Sequence, residues 1–396
     1  MKKTALVFSG GGSRGSYEIG VWKALNKLNI KPDMVFGSSV GAINAALFAT
    51  NSVKKSEKLW QQIETDTVFD LDIAHILEGV PETFKDALLQ TEIFGMPAED
   101  ILAYAREIVT NGGAGSSGLR RLLDEYICEN KLRKINTKFG ITVTEYPSFD
   151  GHYLYLDDIP EGQLIDYILA SASCFPALQK CRILDKVFVD GGYRDNFPVQ
   201  MALEQGATVI IAVDLQTAGF VRRDIMEKAR NEAEEFHMIE SNIDLGNFLV
   251  FDRNNAKKLI DLGYFDTMKH WGKYDGKKYT FKKGIFTPHE LEGAEAAAEI
   301  LDLDPVCVYN KKSLRILLSR AIENLEVNLD KMSFKEILQI IKSDPKKLKP
   351  YPQFLIAIAR DLQEKEHESF FMKPAVFEIL EDEIQAANFL IQENLI

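Results

Sequence analysis

A serine set between two glycines is the first residue of this sequence that could act as a nucleophile. Ser39 stands at the centre of Gly37-Ser-Ser-Val-Gly41, between a short apolar strand pattern and a helical pattern. At a sharp turn from strand to helix, such a serine projects its hydroxyl above the sheet, and the first N–H groups of the helix lie beside it. Gly37 and Gly41 flank it because any Cβ there would crowd the crossing of strand and helix. We therefore predict Ser39 as a nucleophile and expect Ser38 to face elsewhere.

A glycine-rich turn earlier in the chain could stabilise a negative charge. Its Gly-x-Gly-x-x-Gly spacing is also the fingerprint of dinucleotide-binding domains, which need an acidic residue at the end of their second strand. Asp33 has about the right separation but precedes that strand. We therefore interpret the turn as an oxyanion hole, with the cation of Arg14 close by, and keep a nucleotide-binding oxidoreductase as the alternative. The residues of the turn are Gly10, Gly11, Gly12, Arg14 and Gly15.

Asp190 is the strongest candidate for the base that a serine nucleophile needs. It ends the apolar strand pattern at 186–190, and Gly191 and Gly192 after it would let the backbone approach Ser39 closely. None of the six histidines follows a late strand, so each is expected to be an ordinary surface or packing residue. Sites in open parallel sheets form outside the carboxyl ends of the strands. The glycine-rich turn, Ser39 and Asp190 are therefore predicted to meet, with burial raising the pKa of Asp190.

The elements that must position these residues alternate between strand and helix. The alternation predicts an α/β fold, a three-layer α/β/α domain whose central sheet is mainly parallel. Residues 51–130 are expected to form a mostly helical insertion that ends in a mobile loop at 111–118, either a lid or a linker. The strand patterns lie at 4–8, 33–37, 138–146, 152–156, 186–190 and 207–215, and the helical patterns at 16–28, 40–50 and near Pro198.

The pattern changes towards the C terminus. We predict one domain over 1–270, a connector over 271–285 and a C-terminal all-helical domain over 286–396. No catalytic constellation is found in the helical domain, which is expected to pack or to bind a protein partner. Its first helix opens with a capping box formed by Thr287, Pro288 and Glu290. The later helical patterns lie at 311–327, 333–342, 352–365 and 374–394.

The composition excludes several classes of protein. Of the 396 residues 46% are hydrophobic, which is enough for a substantial core, and the net charge of −12 argues against a nucleic-acid groove. The cysteines lack zinc-site spacing, so free thiols and no metal site are expected. The apolar start is too short for a signal peptide, and no run approaches the roughly 20 residues that span a bilayer. A soluble, cytoplasmic protein is predicted.

One lysine-rich segment suggests peripheral contact with a membrane surface. Residues 269–286 contain six lysines interleaved with five aromatic residues. Lysines attract anionic headgroups, and aromatic side chains settle at the level of the headgroups. The alternative is a surface hairpin that joins the two domains. Both interpretations stay open, and the loop at 111–118 is the next candidate for a membrane-facing surface.

These residues together resemble the three signatures of the patatin-like phospholipase family. The signatures are Gly10-Gly-Gly-Ser-Arg-Gly15, Gly37-Ser-Ser-Val-Gly41 and Asp190-Gly-Gly192. The resemblance covers about residues 3–270 and leaves the C-terminal domain outside. The third signature has Asp-Gly-Gly where plant members carry Asp-Gly-Ala, which is a common variant. Further similar segments are 170–178, Asn196-x-Pro198 and 251–266.

The resemblance implies a serine lipid acyl hydrolase that uses a Ser–Asp dyad. Ser39 would be the nucleophile and Asp190 the base, with the glycine-rich turn and Arg14 as the oxyanion region. It implies no metal in catalysis and no cofactor, and the substrate would be an ester of a phospholipid or lysophospholipid. The alternatives are a generic soluble carboxylesterase and a non-catalytic lipid-binding protein on the same fold.

Overall fold

The computed structural model describes residues 2–70, 113–327, 352–365, 369–373, 376, 378 and 380–396. The chain divides into two compact units, Met1–Thr267 and Met268–Ile396. The boundary lies close to residue 270, where the sequence predicts the end of the first domain. Among the described residues, no helix combines the length and the apolar character that crossing a membrane requires.

The first unit contains one large mixed sheet. Its strands are β1 (Thr4–Phe8), β2 (Met34–Ser38), β3 (Lys138–Tyr146), β4 (Asp150–Tyr155), β5 (Cys181–Ile183), β6 (Lys186–Asp190), β7 (Val209–Asp214) and β8 (Glu235–Glu240). Their spatial order is β5–β6–β3–β2–β1–β7–β8, and β4 pairs with β3. β3, β2, β1, β7 and β8 run parallel to one another, whereas β4, β5 and β6 pair in antiparallel fashion. The sheet is therefore mainly parallel, as the alternation of elements predicts.

The central strands are buried on both faces. In β1, Ala5 and Val7 pack into a core with side chains of the helices that follow β6 and β7. The alternate residues Leu6 and Phe8 are also fully buried, so a layer of helices covers each face of the sheet. The helices of this unit are α1 (Ser16–Lys27), α2 (Val40–Thr50), α3 (Val53–Trp60), α4 (Thr65–Val68), α5 (Ser117–Tyr126), α6 (Glu129–Leu132), α7 (Leu164–Ser171), α8 (Val199–Glu204), α9 (Arg223–Glu232) and α10 (Arg253–His270).

The long strand β3 has two different neighbours along one of its edges. β2 pairs with residues 138–142 in parallel, and β6 pairs with residues 143–146 in antiparallel fashion. β4 pairs with residues 140–145 and overlaps both, so it occupies the other edge, and β2 and β6 meet end to end. Asp190 therefore ends an antiparallel strand of this mainly parallel sheet. Its strand runs the opposite way and still ends where β2 ends.

The segment expected as a mobile loop at 111–118 is packed where the structure describes it. Ala114 is fully buried. Its N–H donates to Ala177 O, and its carbonyl oxygen accepts from Gln179 N–H. Small residues suit this segment because two backbone segments approach closely there. Residues 71–112, which make up the greater part of the expected insertion, lie outside the described residues.

The second unit is mainly helical and also holds a small sheet. Its sheet order is β11–β10–β9, which the expectation of an all-helical domain omits. The predicted capping box is present, because Thr287 and Glu290 each accept a hydrogen bond from the other's backbone N–H. The expected helix at 333–342 lies outside the described residues. The elements are β9 (Tyr274–Asp275), β10 (Thr280–Lys282), α11 (Pro288–Ile300), β11 (Val308–Tyr309), α12 (Lys311–Val327), α13 (Pro352–Lys365) and α14 (Glu381–Gln392).

Residues 271–285 are an integral part of the second unit and not a connector. They supply β9 and β10, and Tyr279 and Phe281 are buried in the hydrophobic core of the unit. Lys278 and Lys283 form ion pairs with carboxylates of the same unit. Four of the lysines and aromatic residues that suggest a membrane surface in the sequence therefore take part in the packing and ion pairs of the second unit.

Candidate active site

Ser39 occupies a strained turn between β2 and α2. Its backbone has φ 54° and ψ −127°, a conformation that residues other than glycine rarely adopt. The turn is also tight, because a Cβ on Gly37 would lie 2.1 Å from the carbonyl oxygen of Gly41. The strained turn presents Ser39 to an apolar cavity, which is the geometry of a nucleophile elbow.

The two adjacent serines point in different directions. Ser38 is fully buried and accepts a hydrogen bond from Thr142 Oγ1 at 2.7 Å. A Cβ on Gly191 would lie 2.4 Å from the same Oγ1, so there is no room beside it. Ser39 lines the cavity, and its backbone N–H donates to Ser171 Oγ at 3.0 Å. Of these two serines, Ser39 is the one available to a bound molecule.

Ser39 and Asp190 are joined by a hydrogen bond. Ser39 Oγ donates to Asp190 Oδ2 at 2.6 Å, and the N–H of Gly192 donates to Asp190 Oδ1 at 2.7 Å. Asp190 is only 4% exposed. Burial raises the pKa of its carboxyl from 3.8 to about 7, although both hydrogen bonds favour the ionised form. A carboxyl group with a pKa near neutrality can accept the proton of a serine that it touches.

Two amides of the glycine-rich turn are available to an oxyanion. The N–H of Gly10 donates to Asn196 O at 2.9 Å, and the N–H of Ser13 donates to Phe248 O at 2.8 Å. In the part of the chain that the structure describes, no group accepts a hydrogen bond from Gly11 or Gly12 N–H. Both residues line the cavity beside Ser39. Gly10, which the sequence places in the oxyanion hole as a donor, has its N–H already engaged.

Arg14 does not contribute its charge to the cavity. Its Nε donates to Gly246 O at 2.8 Å. Its Nη1 donates to Leu215 O at 3.0 Å and to Gln216 O at 2.8 Å. The residue is absent from the cavity wall. The prediction that it adds a cation to the oxyanion region is therefore corrected, because its guanidinium ties the glycine-rich turn to the segments after β7 and β8.

A buried polar network lies behind the end of the same turn. Asn44 Nδ2 donates to Gly15 O at 2.8 Å and to Glu18 Oε2 at 2.7 Å. Trp60 Nε1 donates to Asn44 Oδ1 at 2.9 Å. Burial raises the pKa of the Glu18 carboxyl and so favours its neutral form. The network links α1, α2 and α3, and its Trp60 side chain lines the cavity.

Asn196 connects the segment after Asp190 with the glycine-rich turn. Its Nδ2 donates to Gly10 O at 3.2 Å, and its carbonyl oxygen accepts from Gly10 N–H. A Cβ on Gly10 would lie 2.1 Å from Asn196 Oδ1, so glycine is required for this approach. The sequence motif Asn196-x-Pro198 marks the residue, but only the structure shows that it holds the turn in place.

The cavity in front of Ser39 is apolar and has a volume of about 220 Å³. Polar groups of its wall are neighbours, because hydrogen bonds join Ser39 to Asp190 and Gly10 to Asn196 and Thr217. Such a cavity suits a hydrophobic chain whose reacting polar group lies at one end. The apolar lining residues include Val40, Ile43, Leu59, Trp60, Val68, Phe69, Leu119, Leu123, Leu178, Phe248 and Phe251.

The histidines that the structure describes are absent from this cavity. His152 contacts Glu145 and His237 contacts Glu235, while the expected surface roles of His75 and His367 lie outside the described residues. Cys174 does line the cavity, but burial raises the pKa of its thiol to about 12, which keeps it protonated and weakly nucleophilic. Within the described ranges, no three metal-ligating side chains gather.

Comparison with known proteins gives matches over the same region. The model of the patatin-like phospholipase family matches residues 6–203. Patatin-like phospholipase domain-containing protein 7 of Rattus norvegicus is 27% identical over 230 residues, which cover 53% of this chain and 13% of that protein. Lysophospholipase NTE1 of Yarrowia lipolytica is 28% identical over 211 residues, covering 53% of this chain and 12% of the relative.

A solved structure also aligns with the chain. The crystal structure of VipD from Legionella pneumophila is 16% identical to it, with coverage of 100% of this chain and 86% of the other and a TM-score of 0.40. By contrast, this chain spans only a small part of the length of the two curated relatives, from Rattus norvegicus and Yarrowia lipolytica.

Proposed function

Because this chain belongs to the patatin-like phospholipase family, we propose that it is a serine acyl hydrolase that cleaves carboxylic esters of phospholipids or lysophospholipids. The observation that carries the proposal is the 2.6 Å hydrogen bond from Ser39 Oγ to the buried carboxyl of Asp190, formed at the wall of an apolar cavity. The cytoplasmic location expected from the sequence, and the partner-binding role of the second unit, belong to the same proposal.

The proposed reaction uses Asp190 as the base in both halves. Asp190 takes the proton of Ser39 while Oγ attacks the ester carbonyl carbon, and the developing oxyanion accepts hydrogen bonds from Gly11 and Gly12 N–H. The C–O bond of the ester then breaks, and Asp190 returns the proton to the leaving alcohol. In the second half, Asp190 deprotonates a water that attacks the acyl-enzyme, and the proton goes to Ser39 as the free acid leaves.

The cavity supports a lipid acyl chain as the group that is transferred. Its apolar side chains would surround the chain, while the neighbouring polar groups of its wall would face the ester. A generic soluble carboxylesterase would use the same Ser39 and Asp190, and it differs by having no preference for lipid. For a purely lipid-binding protein, the strained turn of Ser39 would cost about 1–3 kcal/mol without a use. The dinucleotide alternative lacks its acidic residue after β2, where Ser38 and Ser39 stand.

A fluorophosphonate probe tests the proposal directly. The full chain should gain the mass of one phosphonyl group, as measured by intact-mass spectrometry, because an activated serine attacks the phosphorus, loses its proton and displaces fluoride. Ser39→Ala should lose the labelling, and Ser38→Ala is the matched control that should keep it. Labelling that disappears in Ser38→Ala but persists in Ser39→Ala would show that the reactive serine is misassigned.

A further inference from the structure

Four aromatic side chains form an exposed cluster on the first unit. The ring centroids of Tyr146 and Phe149 lie 5.7 Å apart, those of Tyr146 and Phe175 6.4 Å apart, and those of Phe149 and Tyr193 6.0 Å apart. We call this cluster, together with Lys180, the aromatic platform. Its members come from three separate segments of the chain, so no local sequence pattern predicts the cluster.

Two of the four rings of the aromatic platform are exposed, and the other two, those of Tyr146 and Phe175, are half-buried. Phe149 is 45% exposed and Tyr193 is 41% exposed. Phe149 lies in the turn between β3 and β4 with φ 59°, where a polar residue such as asparagine would fit the backbone better. Exposed apolar clusters are uncommon on monomeric proteins and mark interaction surfaces.

A single cation lies against the rings of the platform. Lys180 Nζ lies 4.2 Å from the ring centroid of Tyr146 and 4.5 Å from that of Phe175. The nearby Glu145 carboxylate is paired with Lys186. Aromatic rings with a lysine beside them are the combination that occupies the headgroup level of a bilayer.

The platform is continuous with the candidate active site. Tyr193 lines the cavity of Ser39, and its hydroxyl donates to Phe175 O. Phe175 directly follows Cys174, another residue of the cavity wall. When the protein adsorbs to a surface through the platform, the cavity beside Ser39 would therefore lie next to that surface.

We propose that the aromatic platform is the surface by which this protein adsorbs to a phospholipid membrane of zwitterionic composition. The inference rests on the proposed function in one respect, since a lipid substrate would be drawn from that membrane. The net charge of −12 opposes binding to anionic lipid, so adsorption depends on the aromatic rings and is insensitive to salt. The lysine-rich segment 269–286 is a poorer candidate, because Tyr279 and Phe281 are buried.

The test is sedimentation with phosphatidylcholine vesicles, carried out on the whole chain with Ser39→Ala so that lipid is not consumed. Phe149→Asn should weaken partitioning about tenfold, because the variant loses most of the free energy gained when the half-exposed ring moves from water into the interface. Phe220→Asn is the matched control, because Phe220 is 53% exposed and, among the described residues, its ring takes no part in the ring contacts of the platform. It should partition like the parent.

Several results would overturn the inference. These are equal partitioning of the Phe149→Asn and parent proteins, equal loss in Phe149→Asn and Phe220→Asn, or a requirement for anionic lipid. Failure of the proposed function is measured separately, with Ser39 intact and a soluble short-chain ester. If the protein with Ser39 intact does not hydrolyse that ester, the proposed function is wrong, and the result for vesicle binding is unaffected. Phe149→Asn should hydrolyse the ester at the parent rate.

Discussion

The carboxyl of Asp190 should affect activity and stability in opposite directions. It must be ionised to act as a base, so hydrolysis should rise with pH through about 7, the value to which burial raises its pKa. Below that value, kcat/KM should fall about tenfold per pH unit. The folded protein retains on Asp190 a proton that the unfolded chain releases at about 3.8, so stability should fall as the pH rises over the same range.

The size of the stability effect follows from the two pKa values. A folded pKa of about 7 against an unfolded value of 3.8 means that ionising Asp190 costs the folded state about 4 kcal/mol, a stability that is lost as the pH rises from about 4 to about 7. Asp190→Asn removes this cost, because its amide oxygen can accept from Gly192 and its NH₂ can donate to Ser39. The variant should therefore gain about 4 kcal/mol relative to the parent over that range, while losing at least about 10²–10⁴ in kcat.

Two measurements check this expectation. Urea unfolding of both proteins at several pH values gives the difference in unfolding free energy, in which other titrating groups such as Asp195, whose pKa burial raises to about 6, largely cancel. The pH dependence of kcat/KM on a soluble ester gives the pKa of the base. A stability difference that does not change with pH, or an activity limb near pH 4, would refute the assignment of a buried, neutral-range carboxyl to Asp190.

The remaining predictions concern the absence of a triad and the packing of the glycine-rich turn. Replacing any one of the six histidines by alanine should leave most of the ester hydrolysis, and excess EDTA should leave it too; a histidine variant as inactive as Asp190→Asn would restore a triad. Gly12→Ala should lower the free energy of unfolding, measured in urea, by about 2 kcal/mol or more, because Gly12 has φ 53° and a Cβ there would lie 2.0 Å from Phe248 O. Gly162→Ala, at φ 82° with open space around it, is the matched control and should cost clearly less; equal costs would mean that the contact with Phe248 is unimportant.

The elements that carry strong local patterns could be predicted from the sequence. β1, α2 and β3 have the predicted bounds, because continuous apolar runs between glycines and polar residues identify buried strands and helices. β5 and β8 lie outside the predicted strands. β5 has only three residues, and β8 is a half-exposed edge strand with glutamate at both ends, so neither has the apolar run that marks a buried strand.

The positions of Ser39 and Asp190 could be predicted, but the reason for their meeting could not. An apolar run that ends in Asp190 looks the same whether its strand pairs in parallel or antiparallel fashion, since direction depends on a partner about fifty residues away. Arg14 illustrates the same limit. Its hydrogen-bond acceptors lie more than two hundred residues further along the chain, and only the folded arrangement shows that its charge is used there.

β2 and β6 meet end to end on β3. This arrangement fixes the distance between Ser39 and Asp190 separately from the exposed surface of the chain between Tyr146 and Lys186. The distance from Ser39 to Asp190 depends on the pairing of β3 with both strands, and a one-residue slip there would move Asp190 by about 3.3 Å. The chain between Tyr146 and Lys186 leaves that pairing and returns to it, and it carries Phe149, Phe175 and Lys180. Insertions or exchanges at the exposed residues of this segment, away from Ser171 and the cavity wall, can therefore change which surfaces the protein recognises while leaving the geometry of Ser39 and Asp190 intact.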